Sequence, residues 1–321
     1  MGSLELVQQN LTSPMVLCFA LGAIARFLKS DLSLPKGAYQ VLAIYLLLAI
    51  GLKGGVALSK VSIAEIVLPL VGTVVLGSLI PVVIFFVCRG LGRLDAVNSS
   101  AIAAHYGSVS AVTFIACLTF LDGISASYEG FAPALVAIME IPGIVVALLL
   151  GHRVAGRSSG MKDALHEIIT GKSIILLAGG MIVGFATGAK GYGLVEPFFV
   201  QPFQGALCLF MLDMGLLAAD RLSEVRKVGA FIVGLGVLAP LLLGALGVFT
   251  GMAVGLSVGG AAILGTLAAS ASYIAAPAAV RVALPEANPS LYLTAAVGIT
   301  FPFNLALGIP IYHAISVALH R

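Results

Sequence analysis

A chain of 321 residues with 60% hydrophobic and only 10% charged residues, at a mean hydropathy of +1.12, falls outside the soluble globular class and reads as a polytopic membrane protein. Its 17 basic and 14 acidic residues are too few to build a nucleic-acid surface, and the net charge of +3 reports topology instead. Cys18, Cys88, Cys117 and Cys208 lie in or at the ends of apolar stretches without CxxC spacing, so neither a disulfide framework nor a thiolate metal site is expected, and no resident cofactor either.

Ahead of the first apolar run the chain carries Glu5 and no Lys or Arg, and no small-residue cleavage site follows. This predicts that the first helix is kept rather than removed as a signal peptide. A bilayer core of about 30 Å takes roughly 20 apolar residues per helix. Polar punctuation divides the chain into ten such runs, near 14–28, 38–58, 66–88, 99–121, 131–151, 173–189, 199–218, 229–251, 257–283 and 290–316. The fourth carries Gly107, Ser108 and Ser110 about ten residues in, roughly 15 Å deep at the helical rise. The fifth holds Glu140 in Met-Glu-Ile-Pro-Gly, and the seventh holds Asp213. At matching depth the ninth carries Ser270, Ala271, Ser272 and Tyr273, followed by Pro277, which cannot donate a helical hydrogen bond. Breaks are expected in both the fourth and the ninth helices.

Assigning alternate connections to opposite sides gathers Arg26, Lys29, Lys36, Arg89, Arg93, Arg153, Arg157, Lys162, Lys172, Arg221, Arg226, Lys227 and Arg281 on one face. Lys53, Lys60, Lys190 and Arg321 take the other. The positive-inside rule makes the first face cytoplasmic and leaves both termini outside.

The halves resemble each other. At an offset of 164, Gly51-Leu52 falls on Gly215-Leu216, Leu58-Ser59 on Leu222-Ser223, and Tyr39-Gln40 on Phe203-Gln204. Near 162, Ser108 and Ser110 meet Ser270 and Ser272; with a small gap Tyr128 meets Tyr292 and Ile141-Pro142 meets Phe301-Pro302. A five-plus-five repeat is inverted, because an odd number of spans returns the second half to the membrane from the opposite side. The expected architecture is all-α, ten transmembrane helices as a 5+5 inverted repeat with broken helices meeting at the midplane. Residues 1–152 form the first repeat, 153–172 a cytoplasmic connection and 173–321 the second repeat.

A broken helix exposes the N–H groups that start its second half, with serine as a good cap and the aligned dipoles leaving partial positive charge. Two such termini aimed at one point bind a small anion without a buried Lys or Arg. The expected anion site is Gly107, Ser108, Ser110, Ser270, Ala271, Ser272 and Tyr273; the bland reading is that small residues only allow close helix packing. Carboxylate, hydroxyl and amide oxygens at Glu140, Thr113, Thr300 and Asn304 are hard ligands suited to sodium, or else interhelical hydrogen-bond partners. Asp213 is open to the second role, and Lys53 reads as an interfacial anchor. His105, three residues from Ser108 on one helix, lacks the geometry of a serine–histidine pair, and there is no HExxH, so an enzyme is not expected. His152, His166, His313 and His320 read as solvated.

Gly51-Leu-Lys-Gly-Gly-Val-Ala57, Gly107-Ser-Val-Ser110, Met139-Glu-Ile-Pro142, Ser270-Ala-Ser-Tyr273, Pro277-Ala-Ala-Val-Arg281 and Pro285-Glu-Ala-Asn-Pro-Ser290 together resemble the sodium-dependent bicarbonate transporter family of cyanobacterial symporters. The resemblance runs over most of the chain. It implies a mobile core and a scaffold, a homotrimer in the inner (plasma) membrane, bicarbonate held by the serines at 108, 110, 270 and 272, and sodium helped by Glu140. Tyr273 and Glu140 both stand where the cyanobacterial pattern has Asp, which bears on the anion and on stoichiometry. The connection 152–172 is shorter than in cyanobacterial members, and bears on a PII-like cytoplasmic regulator. The open alternatives are another small monoanion, proton coupling at Glu140, or a non-transporting sensor or scaffold.

Overall fold

The computed structural model describes residues 3–155 and 161–321, and Arg157 of the charge count lies outside them. All the regular secondary structure of the described residues is helical, with no strand. Eight helices are long and apolar enough to cross a membrane, or nine if one bent pair counts as a span. The bent pair is α1 (Ser3–Leu11) and α2 (Pro14–Phe27), which meet at 57°. Ser13 starts α2 by accepting the Val16 N–H, and Pro14 occupies the first helical position, where a missing N–H costs nothing.

The helices α3 (Lys36–Leu58), α4 (Ile63–Gly90), α5 (Ala96–Gly107), α6 (Ala111–Gly123) and α7 (Ala132–Ala155) follow. After them come α8 (Met161–Ile169), α9 (Lys172–Gly193), α10 (Glu196–Val200), α11 (Phe203–Ser223) and α12 (Val225–Ala253). A pair of half-helices, α13 (Val258–Ala269) and α14 (Ala275–Ala283), precedes the terminal helix Pro289–Leu319. The short α8 lies in the connection between the halves and packs on α14, burying Ala164 and Ile168.

Two bodies emerge from the packing. In one, α3 lies along α9 and α2 along α11. Their seams are backbone to backbone: a Cβ on Gly22 would collide with the Leu212 carbonyl, one on Gly215 with the Phe19 carbonyl, and Gly51 and Gly180 face each other directly. In the other body α4 packs on α5 and α7, while α12 packs on α13 and the terminal helix. There too glycine sets the separation, since a Cβ on Gly143 of α7 would strike the Gly107 carbonyl at the end of α5. Small residues at such crossings are what holds helices together where lipid offers no hydrophobic contrast.

Prolines inside the spans leave carbonyls without their helical donor, and side chains from neighbouring helices take them up. Pro240 in α12 cannot bond Gly236, whose carbonyl instead accepts the Thr300 hydroxyl at 2.9 Å. Two π-helical stretches, Thr294–Thr300 and Asn304–Gly308, interrupt the terminal helix. Next to the second, the Ile309 N–H bonds back to Asn304, so Pro310 leaves the Leu305 carbonyl without a donor in the π register and the Ala306 carbonyl in the α register. Asn10 of α1 supplies the donor, its amide reaching the Leu305 and Ala306 carbonyls at 2.7 and 3.3 Å.

Two histidines depart from the solvated expectation. His152 is buried, its Nε2 3.1 Å from the Ala283 carbonyl in the last turn of α14, where helix carbonyls lack internal donors. His313 is buried against Phe120. Their neighbours in space come from helices distant in the chain, which proximity to a span end does not reveal.

Candidate functional site

The breaks form where the sequence places its serines. Helix α5 stops at Gly107, Ser108 and Val109 run extended, and Ser110 caps α6 by accepting the Thr113 N–H at 3.2 Å. Helix α13 stops at Ala269, and α14 resumes at Ala275 after Ser270-Ala271-Ser272-Tyr273-Ile274. The Ser272 hydroxyl accepts the Ala276 N–H at 3.2 Å. Pro277 falls in the first turn of α14, where no N–H is required.

The two breaks lie against each other. The Ser110 N–H donates to Ser270 Oγ at 2.9 Å, and the Ser272 N–H donates to the His105 carbonyl at 2.7 Å. Ser270 Oγ in turn donates to Leu267, so both its roles are spent on joining the breaks. The hydroxyls of Ser110 and Ser272 each accept a helix-starting N–H and keep their own protons available for an acceptor.

Between them is a small cavity lined by Val109, Ser110, Ala111, Glu140, Ser173, Ser272, Tyr273 and Ile274. Its volume of about 10 Å³ is at the threshold for one water, so a polyatomic anion enters only when these walls move apart. Among the described residues no Lys or Arg lines it. Positive potential comes from the starts of α6 and α14, whose first N–H groups have no helical acceptor. Glu140 is 3% exposed, and its Oε2 has no hydrogen-bond partner among the described residues. An unpaired carboxylate so placed is expensive in a low-dielectric interior unless it holds a proton or a cation.

Of the residues expected from sequence, the structure brings Ser110, Ser272, Tyr273 and Glu140 to this cavity. Ser270 binds the two breaks together beside it. Ser108 is buried with its hydroxyl unpartnered among the described residues, and Ala271 is buried in the second break. Gly107 admits the Pro81 ring and the close approach of Gly143. Thr113 gives its N–H to the Ser110 cap.

The remaining two sodium candidates have their polar atoms engaged elsewhere. Thr300 joins Tyr106, at 2.7 Å, to the Gly236 carbonyl. Asn304 donates to the Ala269 carbonyl at the end of α13 and accepts from Tyr312. His105, with Nδ1 on the Ala101 carbonyl and its ring stacked on Tyr292, serves the break through its backbone. Ser173, in the first turn of α9, joins the cavity although its sequence surroundings have no serine cluster. Only the packing of α9 against α7 reveals it.

Two interrupted helices whose breaks touch at a small buried cavity, within a set of long apolar helices, mark a multi-pass membrane protein. The chain belongs to the Na+-dependent bicarbonate transporter superfamily, whose family model matches residues 14–317. No curated protein matches it.

Proposed function

We propose that the protein is a secondary transporter that imports bicarbonate with sodium by alternating access. The observation that carries this reading is the cavity itself: two donor hydroxyls, two helix starts and one unpaired carboxylate converge with no basic side chain. Ser110, Ser272 and the N–H groups of α6 and α14 suit an oxyanion. Glu140 suits sodium, whose charge neutralises the carboxylate and so removes the repulsion it would exert on an anion at the serines, while the helix starts supply the positive potential that holds the anion. Membership of a sodium-dependent family favours sodium over a proton at Glu140.

The ten-span inverted repeat is part of the proposal. Each half contributes one helix pair to the other: α3 with α9 and α2 with α11 are the second span with the sixth and the first with the seventh, contacts that exchange under the repeat. The contacts of α4 with α5 and α7 map in the same way onto those of α12 with α13 and the terminal helix. In this reading each pair of half-helices makes one crossing, both termini lie outside, and the α4–α7 and α12–terminal body slides against the body of α2, α3, α9 and α11.

Labelled bicarbonate uptake into proteoliposomes, with and without an inward sodium gradient, tests the function. Gradient-driven accumulation that falls in both Ser110→Ala and Ser272→Ala is the expected result. A folded wild-type protein that accumulates no bicarbonate under either condition overturns it.

A further inference from the structure

The starts of α6 and α14 at the cavity are capped, since the hydroxyls of Ser110 and Ser272 each accept a helix-starting N–H. Ser173 brings the start of α9 to the same cavity. The chain gives this helix no cap. Gly171, at the N-cap position, has no side chain to accept with. Thr170 before it donates its hydroxyl to the His166 carbonyl at 2.7 Å, closing α8 instead. The N–H groups of Ser173 and Ile174 therefore have no acceptor among the described residues, although the two residues are only 3% and 8% exposed.

A helix start buried without partners costs free energy, because each orphan donor has given up its water. The Ser173 hydroxyl is in the same condition: it lines the cavity and makes no hydrogen bond among the described residues. The hydroxyls of Ser110 and Ser272 divide their capacity between a cap and the cavity, whereas that of Ser173 is wholly uncommitted. Unpaired donors at the positive end of a helix dipole suit an anion, and the cavity wall is where these donors stand.

Ser173 also differs from the rest of the lining in the body to which it belongs. The other lining residues come from the two breaks and from α7, and α14 packs on α5 and α7. Helix α9 is seated instead on α3, in the body of α2, α3, α9 and α11. A Cβ on Gly55 would strike the Met181 carbonyl, and one on Gly184 the Leu52 carbonyl. Backbones in such close contact keep α9 with α3, so the start of α9 does not follow the breaks when the bodies slide.

We propose that Ser173 and the start of α9 form the fixed side of the anion site. A small oxyanion of the bicarbonate class, seated on Ser110 and Ser272, also accepts from the Ser173 hydroxyl and from the N–H groups of Ser173 and Ile174, and so bridges the two bodies. This rests on the transport reading and deepens it. A ligand shifts an equilibrium between conformations only by its difference in affinity for them. Donors that are present in this arrangement and withdrawn when the breaks move away from α9 supply such a difference. The bound anion draws the walls together, and its release follows the loss of the α9 contact.

Hydrogen exchange of the solubilised wild-type protein in sodium bicarbonate and in sodium gluconate, at equal pD and ionic strength, tests the bridge. Slower exchange in bicarbonate at Ser173 and Ile174, together with slower exchange at the starts of α6 and α14, is the expected result. Protection at α6 and α14 without protection at α9 overturns the proposal and leaves the transport reading standing. Protection at α9 without the other two also overturns the bridge, and protection at none of them removes the transport reading with it. In Ser173→Ala the hydroxyl is lost without stranding a partner, so the thermal midpoint in gluconate stays at the wild-type value. The bicarbonate concentration needed to raise that midpoint increases about tenfold, the low end of what a hydrogen bond to a charged partner is worth. A lowered midpoint in gluconate would mean that the fold holds the hydroxyl, and an unchanged bicarbonate dependence that the anion does not touch it; either result overturns the proposal.

Discussion

Thr300 occupies a point where two needs meet. It gives a donor to the carbonyl that Pro240 orphans and joins the buried Tyr106 hydroxyl. Thr300→Val keeps the shape and strands both partners, at a cost of about 1–3 kcal/mol for the unsatisfied groups. A lowered thermal midpoint with unchanged sodium dependence of the residual uptake is the expected outcome. An intact midpoint with altered sodium dependence would return Thr300 to the ion. Glu140 is the opposite case, its Oε2 having no hydrogen-bond partner to lose among the described residues. Glu140→Gln preserves the volume and one oxygen, so sodium binding is expected to weaken at least about tenfold, roughly 1.4 kcal/mol, while the fold survives. Sodium dependence of uptake, measured at fixed bicarbonate, reads the difference.

At the level of elements, the interruptions and their repairs are as informative as the helices. The N-terminal α1 reaches across to the last helix through Asn10, whose amide supplies donors to Leu305 and Ala306 next to the second π-helical stretch. Asn10→Ala leaves those carbonyls buried without that donor. A loss of about 1–3 kcal/mol is expected, seen as a lower thermal midpoint and faster hydrogen exchange confined to residues following 304. Uniform exchange would mean that α1 plays no part in holding the terminal helix. This contact was not legible in the chain, because it depends on which carbonyl a proline frees and on which distant helix stands opposite. The breaks themselves were legible: Gly107-Ser108 and Ser270 through Ser272 combine weak helix formers with capping chemistry, and Pro277 fits only the first turn of a new helix. The same limit explains Ser173, which sits on an unremarkable stretch and acquires its place from the helices packed beside it. Asn304 shows the converse, a residue of suitable chemistry whose amide is already committed to the end of α13.

Across the whole molecule, apolar run length located the helical segments closely, since hydropathy is a summed property that survives small errors in boundaries. The grouping into two bodies was not readable from it, because that grouping follows the glycine seams. Those seams carry a further consequence. Helices α2 and α3 come from the first half, yet each has its backbone-to-backbone partner, α11 or α9, in the second. The halves are thus interlocked rather than adjacent, and each leaves the other's glycine grooves open when it stands alone. Two separately made fragments, divided between Ala155 and Met161, are expected to be degraded when produced singly and to recover gradient-driven uptake when produced together. Accumulation of either fragment alone at the level of the intact chain would show that the seams are not what completes it. If the fragments behave as expected, the two halves function as obligate complementing partners that happen to share one polypeptide, and a lesion in a seam of one half is open to rescue by a compensating change in the other.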